Sequence, residues 1–227
     1  MTGLGATVAA NLRWELRRLV RSQRIFLLII PPVAGPIGSA VADLYLRVPS
    51  AATAEILGLL VTGGLAALIL LDLTALTVGE DLVRRAHLAT FALPQDRRVA
   101  LGARLLVAVG GPLAGYLLGA GLIAELGGRL VTASALANPP LFDPTHLLVA
   151  LVGLLIALAG VTALGAVVTR SSSEALVAGI LAGVVVAGGV GYLVALREAS
   201  MIVPLLLGIG GLAALGAAAI RYPSVAE

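Results

Sequence analysis

Side chains able to do chemistry are few in this chain, and their types narrow what that chemistry can be. There is no Cys, so no thiolate nucleophile, disulfide or Cys-based metal site exists, and no metal site is expected. The two histidines, His87 and His146, are far apart in sequence. No Ser–His or paired-carboxylate spacing suits nucleophilic or acid–base catalysis. All 15 basic residues are Arg. A phosphate-binding loop of the form GxxxxGK[ST] needs its Lys to reach the phosphates, so any ATP this protein depends on must be bound by another chain. The chain therefore reads as a non-enzyme. What remains is one dense polar run and a few isolated charges. The run is GEDLVRRAHLATFALPQDRR, 79–98, with Glu80, Asp81, Arg84, Arg85, Asp96, Arg97 and Arg98. Near it in sequence stand Asp72 and Arg104.

The elements that must position these residues are membrane helices. The chain is 59% hydrophobic and only 12% charged, with a mean hydropathy of +1.07, whereas soluble domains carry about 25% charged residues. Six stretches approach the roughly 20 apolar residues that a membrane helix needs: 25–46, 56–78, 103–126, 146–168, 174–196 and 201–220. They are continuous apolar runs rather than the alternating segments of barrel strands. The fold class expected is an all-α integral membrane protein with six transmembrane helices. Residues 1–24 precede a single six-span domain, 25–227. The prolines and length of the first run favour an uncleaved span over a signal peptide.

Arginines set the orientation by the positive-inside rule. With both termini in the cytoplasm, the inner segments hold Arg13, Arg17, Arg18, Arg21, Arg24, Arg84, Arg85, Arg97, Arg98, Arg104, Arg170 and Arg221, and the outer loops only Arg47, Arg129 and Arg197. The polar run then lies in the largest cytoplasmic loop, 79–102, and the longest outer loop is 127–145. His87 and His146 fall on opposite sides of the membrane and cannot act together.

Two polar elements border the inner face. In 7–24, Val8, Leu12, Leu16 and Leu19 share one side of a helix and Arg13, Arg17, Arg21 and Arg24 the other, the pattern of an interfacial amphipathic helix; Trp14 and Glu15 break the division. In the polar run, Leu82, Ala86, Ala89 and Leu93 sit at helical spacing, Glu80 and Asp81 suit the first turn, and Pro94 stops the helix. A short helix followed by a basic turn at Arg97–Arg98 is expected. Within the spans, Gly111, Gly115 and Gly119 recur every fourth residue, as do Gly179 and Gly183, which permits close helix approach either inside one chain or across a dimer seam. Pro31, Pro32 and Pro36 should bend or break the first span. Asp72 is an intramembrane carboxylate and so a functional candidate; its roles could be an ion pair with Arg104, a proton or cation site, or a contact to a polar substrate group.

In this order of elements the chain resembles the permeases of the type 2 ABC exporter superfamily. The motif residues are Glu80-Asp81 after the second span, Leu93-Pro94 closing the short helix, Arg97-Arg98, and Gly102-Ala103-Arg104 opening the next span. The family usually has Lys where Arg104 stands. Many members also carry a re-entrant helical segment between spans five and six, for which 197–200 leaves no room. The resemblance implies a six-span permease subunit in the inner or plasma membrane, paired with a second copy as a homodimer. It also implies cytoplasmic ATPase subunits that bind the ATP and Mg absent from this chain. The helix between spans two and three would couple the two, through Glu80, Asp81, Arg84, Arg85, Pro94, Arg97 and Arg98, and drive alternating access. Two alternatives stay open: a haem-exporter-like permease of cytochrome c maturation, and a non-catalytic membrane scaffold.

Overall fold

The computed structural model describes residues 4–45, 51–80, 97–130, 144–195 and 202–225, and these are almost wholly helical. Seven α-helices follow in order: α1 Leu4–Arg21, α2 Ile30–Tyr45, α3 Ala51–Ala75, α4 Arg97–Leu130, α5 Pro144–Thr169, α6 Ser172–Ala195 and α7 Ile202–Val225. A 3₁₀ segment, Arg24–Ile29, leads into α2, and a π-helical turn, Leu76–Glu80, ends α3. Among the described residues five helices are long and apolar enough to cross a membrane: Arg24–Ala42, Thr53–Gly79, Val99–Glu125, Thr145–Thr169 and Ile202–Tyr222. The protein is thus a membrane-embedded, multi-pass, all-helical protein. Helix α6 is 24 residues long and contributes a shorter described apolar stretch, Ser172–Val186.

Helices α3 and α5 form the centre. Helix α3 packs against α2, α4, α5 and α6, and the most extensive pairing of all is α5 with α7. That pairing is a glycine seam. A Cβ at Gly160 would run into the Gly211 carbonyl oxygen, one at Gly211 into the Ile156 backbone, and one at Gly153 into the Pro204 carbonyl oxygen. Helices pressed backbone to backbone gain the van der Waals contact that substitutes, in lipid, for the hydrophobic drive of water. Buried threonines mark the other crossings. Thr62 on α3 donates to the Gly58 carbonyl (2.9 Å) and Thr162 on α5 to the Leu158 carbonyl (2.8 Å), so each satisfies its hydroxyl within its own helix. Gly35 and Gly119 make room for Thr62, and Gly179 makes room for Thr162.

Two core clusters show which ends lie together. One gathers the end of α3 (Ala75, Val78), the start of α4 (Leu101, Leu105), the end of α5 (Ala163, Val167), the start of α6 (Ala175) and the end of α7 (Ala218, Tyr222). The other, at the opposite end, joins Leu59, Ala120 and Ile123, with Leu147 and Leu148 packed on them. Consecutive helices therefore alternate in direction. The helix positions of Arg97, Arg98, Arg104, Arg170 and Arg221, and all of α1, belong to the first of these ends, here called the basic end.

Three expectations are corrected. The prolines of the first span do not break a helix: the irregularity comes earlier, at Gln23 (φ 59°) and the 3₁₀ segment, while Pro31 and Pro32 fall in the first turn of α2, where a missing N–H costs nothing. Pro36 sits inside a continuous α2. Arg97 and Arg98 are not a turn but the first residues of α4, which runs for 34 residues, beyond both expected limits of the third span. The segment 81–96, with Asp81, Arg84, Arg85, Pro94 and the expected short helix, lies outside the described residues, as does most of the 127–145 loop.

Candidate functional site: the buried junction of α1 and α4

Helix α1 lies against α4, and its buried residues are Asn11, Glu15 and Leu19. They are spaced by four and form one stripe, because residues four apart stack on the same side of a helix. The face expected to be apolar is rotated from this one: Leu16 is 45% exposed and Val20 56%. Helix α1 thus has three faces, a polar stripe toward α4, an apolar margin of Leu16 and Val20, and the arginines Arg13, Arg17 and Arg21. A polar stripe is buried because α4 presents a partner for it.

That partner is Arg104. Its side chain is 4% exposed, and its Nε lies 3.4 Å from Oε1 of Glu15, which is equally buried. The same carboxylate oxygen accepts from Arg18 Nη1 at 3.4 Å. Trp14 covers the group from above, with its ring centroid 4.8 Å from the Arg104 guanidinium carbon and 6.0 Å from that of Arg18, within the range of a cation–π interaction. Tyr222, near the end of α7, is buried close enough to Arg104 to contribute to its electrostatics. Burial pushes the Glu15 carboxyl above its ordinary range, against the pull of Arg18 and Arg104 toward the ionised form. Desolvation therefore outweighs attraction at this carboxylate, the usual balance for a buried pair.

The structure gives Arg104 a carboxylate partner other than the one expected. Asp72 is half-buried on α3 and has no ion-pair partner among the described residues, while Glu15 takes the guanidinium. The expected packing glycines also find their neighbours within this chain. Gly111 faces the Leu28 side chain, Gly115 the Leu28 carbonyl, and Gly119 the backbone of Pro31 and Pro32, all in the first span; Gly183 faces Leu158. Glu80 ends the π turn and Arg97 and Arg98 open α4, and their side chains lie outside the description.

The end of α3 is tightly placed. A Cβ on Gly79 would stand 2.6 Å from the Ser172 Cα and 2.7 Å from its N. Only a glycine lets the π turn pass the start of α6 this closely. The turn it touches is itself sharp, with Arg170 at φ 55° and Thr169 and Ser171 exchanging hydrogen bonds at 3.3 Å.

Sequence reasoning passed over Glu15, Trp14, Asn11 and Tyr222. A signal was present: Asn11, Glu15 and Leu19 repeat every fourth residue, and Glu15 is the one acid in a helix crowded with arginines. Chemically the junction can bind charge and hold two helices together. It holds no nucleophile–base pair, and no group of three or more metal-ligating side chains occurs among the described residues. No family model, curated protein or solved structure matches the chain.

Proposed function

We propose that the chain is the transmembrane permease subunit of an ATP-driven exporter of the type 2 ABC kind, working as a homodimer with a separate ATPase in a cell membrane. In this reading six helices span the bilayer, α6 being the sixth, and the basic end faces the cytoplasm. The observation that carries the reading is the position of α1. A basic helix is clamped by Glu15 and Arg104 to the opening turns of α4, directly beside 81–96, the stretch that holds most of the exporter-like motif. Motion imposed on that stretch by an ATPase would reach α4 at Arg97 and the start of α6 through Gly79 and Ser172. Alternating access would follow from the resulting reorientation of the spans. A scaffold would need the spans alone and gives no reason for these contacts.

The decisive experiment is co-purification from the native host, followed by ATPase assay in proteoliposomes. The reading expects an ATPase to accompany the chain in stoichiometric amount, and Arg84→Glu with Arg85→Glu to release it while the membrane chain stays folded. A chain that purifies alone and is fully active alone would sink it.

A further inference from the structure

On the outside of the bundle, α4 and α7 diverge to leave an open groove of about 380 Å³, lined by Gly102, Leu106 and Gly110 of α4 and by Leu215 and Ala219 of α7. Two of these residues stand apart from most glycines at the helix crossings. A Cβ on Gly111, Gly115, Gly119, Gly153, Gly160, Gly179 or Gly211 would meet a neighbour of this chain, whereas one on Gly102 or Gly110 meets nothing within 4 Å. Glycine weakens a helix relative to alanine, and in membrane helices the loss is usually offset by close approach of another group. At Gly102 and Gly110 that group is not part of the chain.

The groove's length identifies the occupant. From Gly102 to Gly110 the helix rises roughly 12 Å, and the groove begins three residues inside the apolar span Val99–Glu125. That is close to one leaflet, about half of the roughly 30 Å hydrocarbon core. A spanning helix of another protein would need a matching surface over the whole thickness. The groove also opens toward charge: Arg98 stands one turn before Gly102 on α4, Arg97 precedes it, and Arg221 follows Ala219 near the end of α7. We infer that the groove holds one acyl chain of an anionic phospholipid from the leaflet at the basic end, with its phosphate among these arginines. This rests only on the chain being a membrane protein and is independent of the exporter reading.

The chain has one Trp and no Cys, so reporters can be placed singly. Trp14→Phe with Leu106→Trp moves the fluorophore to the groove. The full chain is reconstituted in phosphatidylcholine vesicles containing a minor fraction of acyl-brominated phosphatidylglycerol or, separately, acyl-brominated phosphatidylcholine. The anionic lipid should quench about fivefold more effectively, the scale of one arginine near an anionic lipid surface. Adding Gly102→Leu and Gly110→Leu should make the two lipids equal, and Arg98→Gln with Arg221→Gln should abolish the preference while leaving quenching by the neutral lipid. Equal quenching in the unfilled protein means ordinary annular lipid and overturns the proposal. So does a preference that survives filling with helix content unchanged. Disulfide dimers formed through Leu106→Cys would assign the groove to a second copy and equally overturn it. If the filled variant fails to fold, the lipid comparison in the unfilled protein decides alone.

Discussion

Glu15 is the residue on which α1 depends. It carries a charge into a buried place where both Arg104 and Arg18 need it. Removing one member of a buried pair leaves the other charged and desolvated, at a cost of about 3–5 kcal/mol, while replacing both with apolar residues can be neutral. Glu15→Leu should therefore lower the melting temperature in detergent sharply, and Glu15→Leu with Arg104→Leu should regain most of the loss. A double variant no more stable than the single would show that the two do not couple. The pH dependence has a definite sign. Because burial raises the folded-state pKa of Glu15, its contribution is greatest below the ordinary carboxylate value of about 4.3 and is lost as pH rises through the raised one. Wild type should thus gain stability over Glu15→Gln on acidification through that window; a constant difference between pH 4 and 7 would contradict the assignment.

At the scale of elements, the contrast between neighbouring glycines tests how α5 and α7 meet. Gly211 abuts the Ile156 backbone, whereas a Cβ on the adjacent Gly210 meets nothing within 4 Å. Overpacking a tight core costs about 1–3 kcal/mol, so Gly211→Leu should destabilise the bundle by at least that much. Gly210→Leu, on the lipid-facing side, should stay within about 0.5 kcal/mol of wild type, as surface changes do. Thermal unfolding of the pair reads the difference directly, and equal melting temperatures would refute the seam. Gly79→Ala puts a methyl against Ser172 and should loosen the junction of α3 with α6. In the exporter reading the same change lowers transport-coupled ATP hydrolysis more than it lowers stability, a split measurable in proteoliposomes.

For the whole molecule, the grouping of helix ends makes a topological expectation. Ser22 and Ser173, at the basic end, should be labelled from one side of the membrane by an impermeant thiol reagent after single substitution to Cys. Ala133, beyond the far end of α4, should be labelled from the other side. In the proposed orientation the first two are cytoplasmic. Labelling of all three from one side would break the alternation of directions that the two end clusters require.

Much of this architecture was legible in the sequence because a bilayer imposes a simple rule. Backbone groups with no water must be paired within a helix, so long apolar runs become helices, and α2, α3, α4, α5 and α7 contain the expected runs to within several residues. The segregation of arginines likewise anticipated that α1, the start of α4 and the end of α7 share one end. Contact between helices was not legible in the same way. In a chain where nearly every position is apolar, hydropathy cannot tell a lipid-facing Leu118 from a buried Leu101, and spacing alone cannot tell Gly211 from Gly210. The polar residues of α1 show the same limit: composition marked Glu15 and Trp14 as interruptions of an amphipathic helix, and only the packing of α1 on α4 made them its attachment. Element identity follows from local chemistry, which the sequence carries in full. Pairing follows from which surfaces fit, and for Arg104 that fit chose Glu15, far away in the chain, over Asp72.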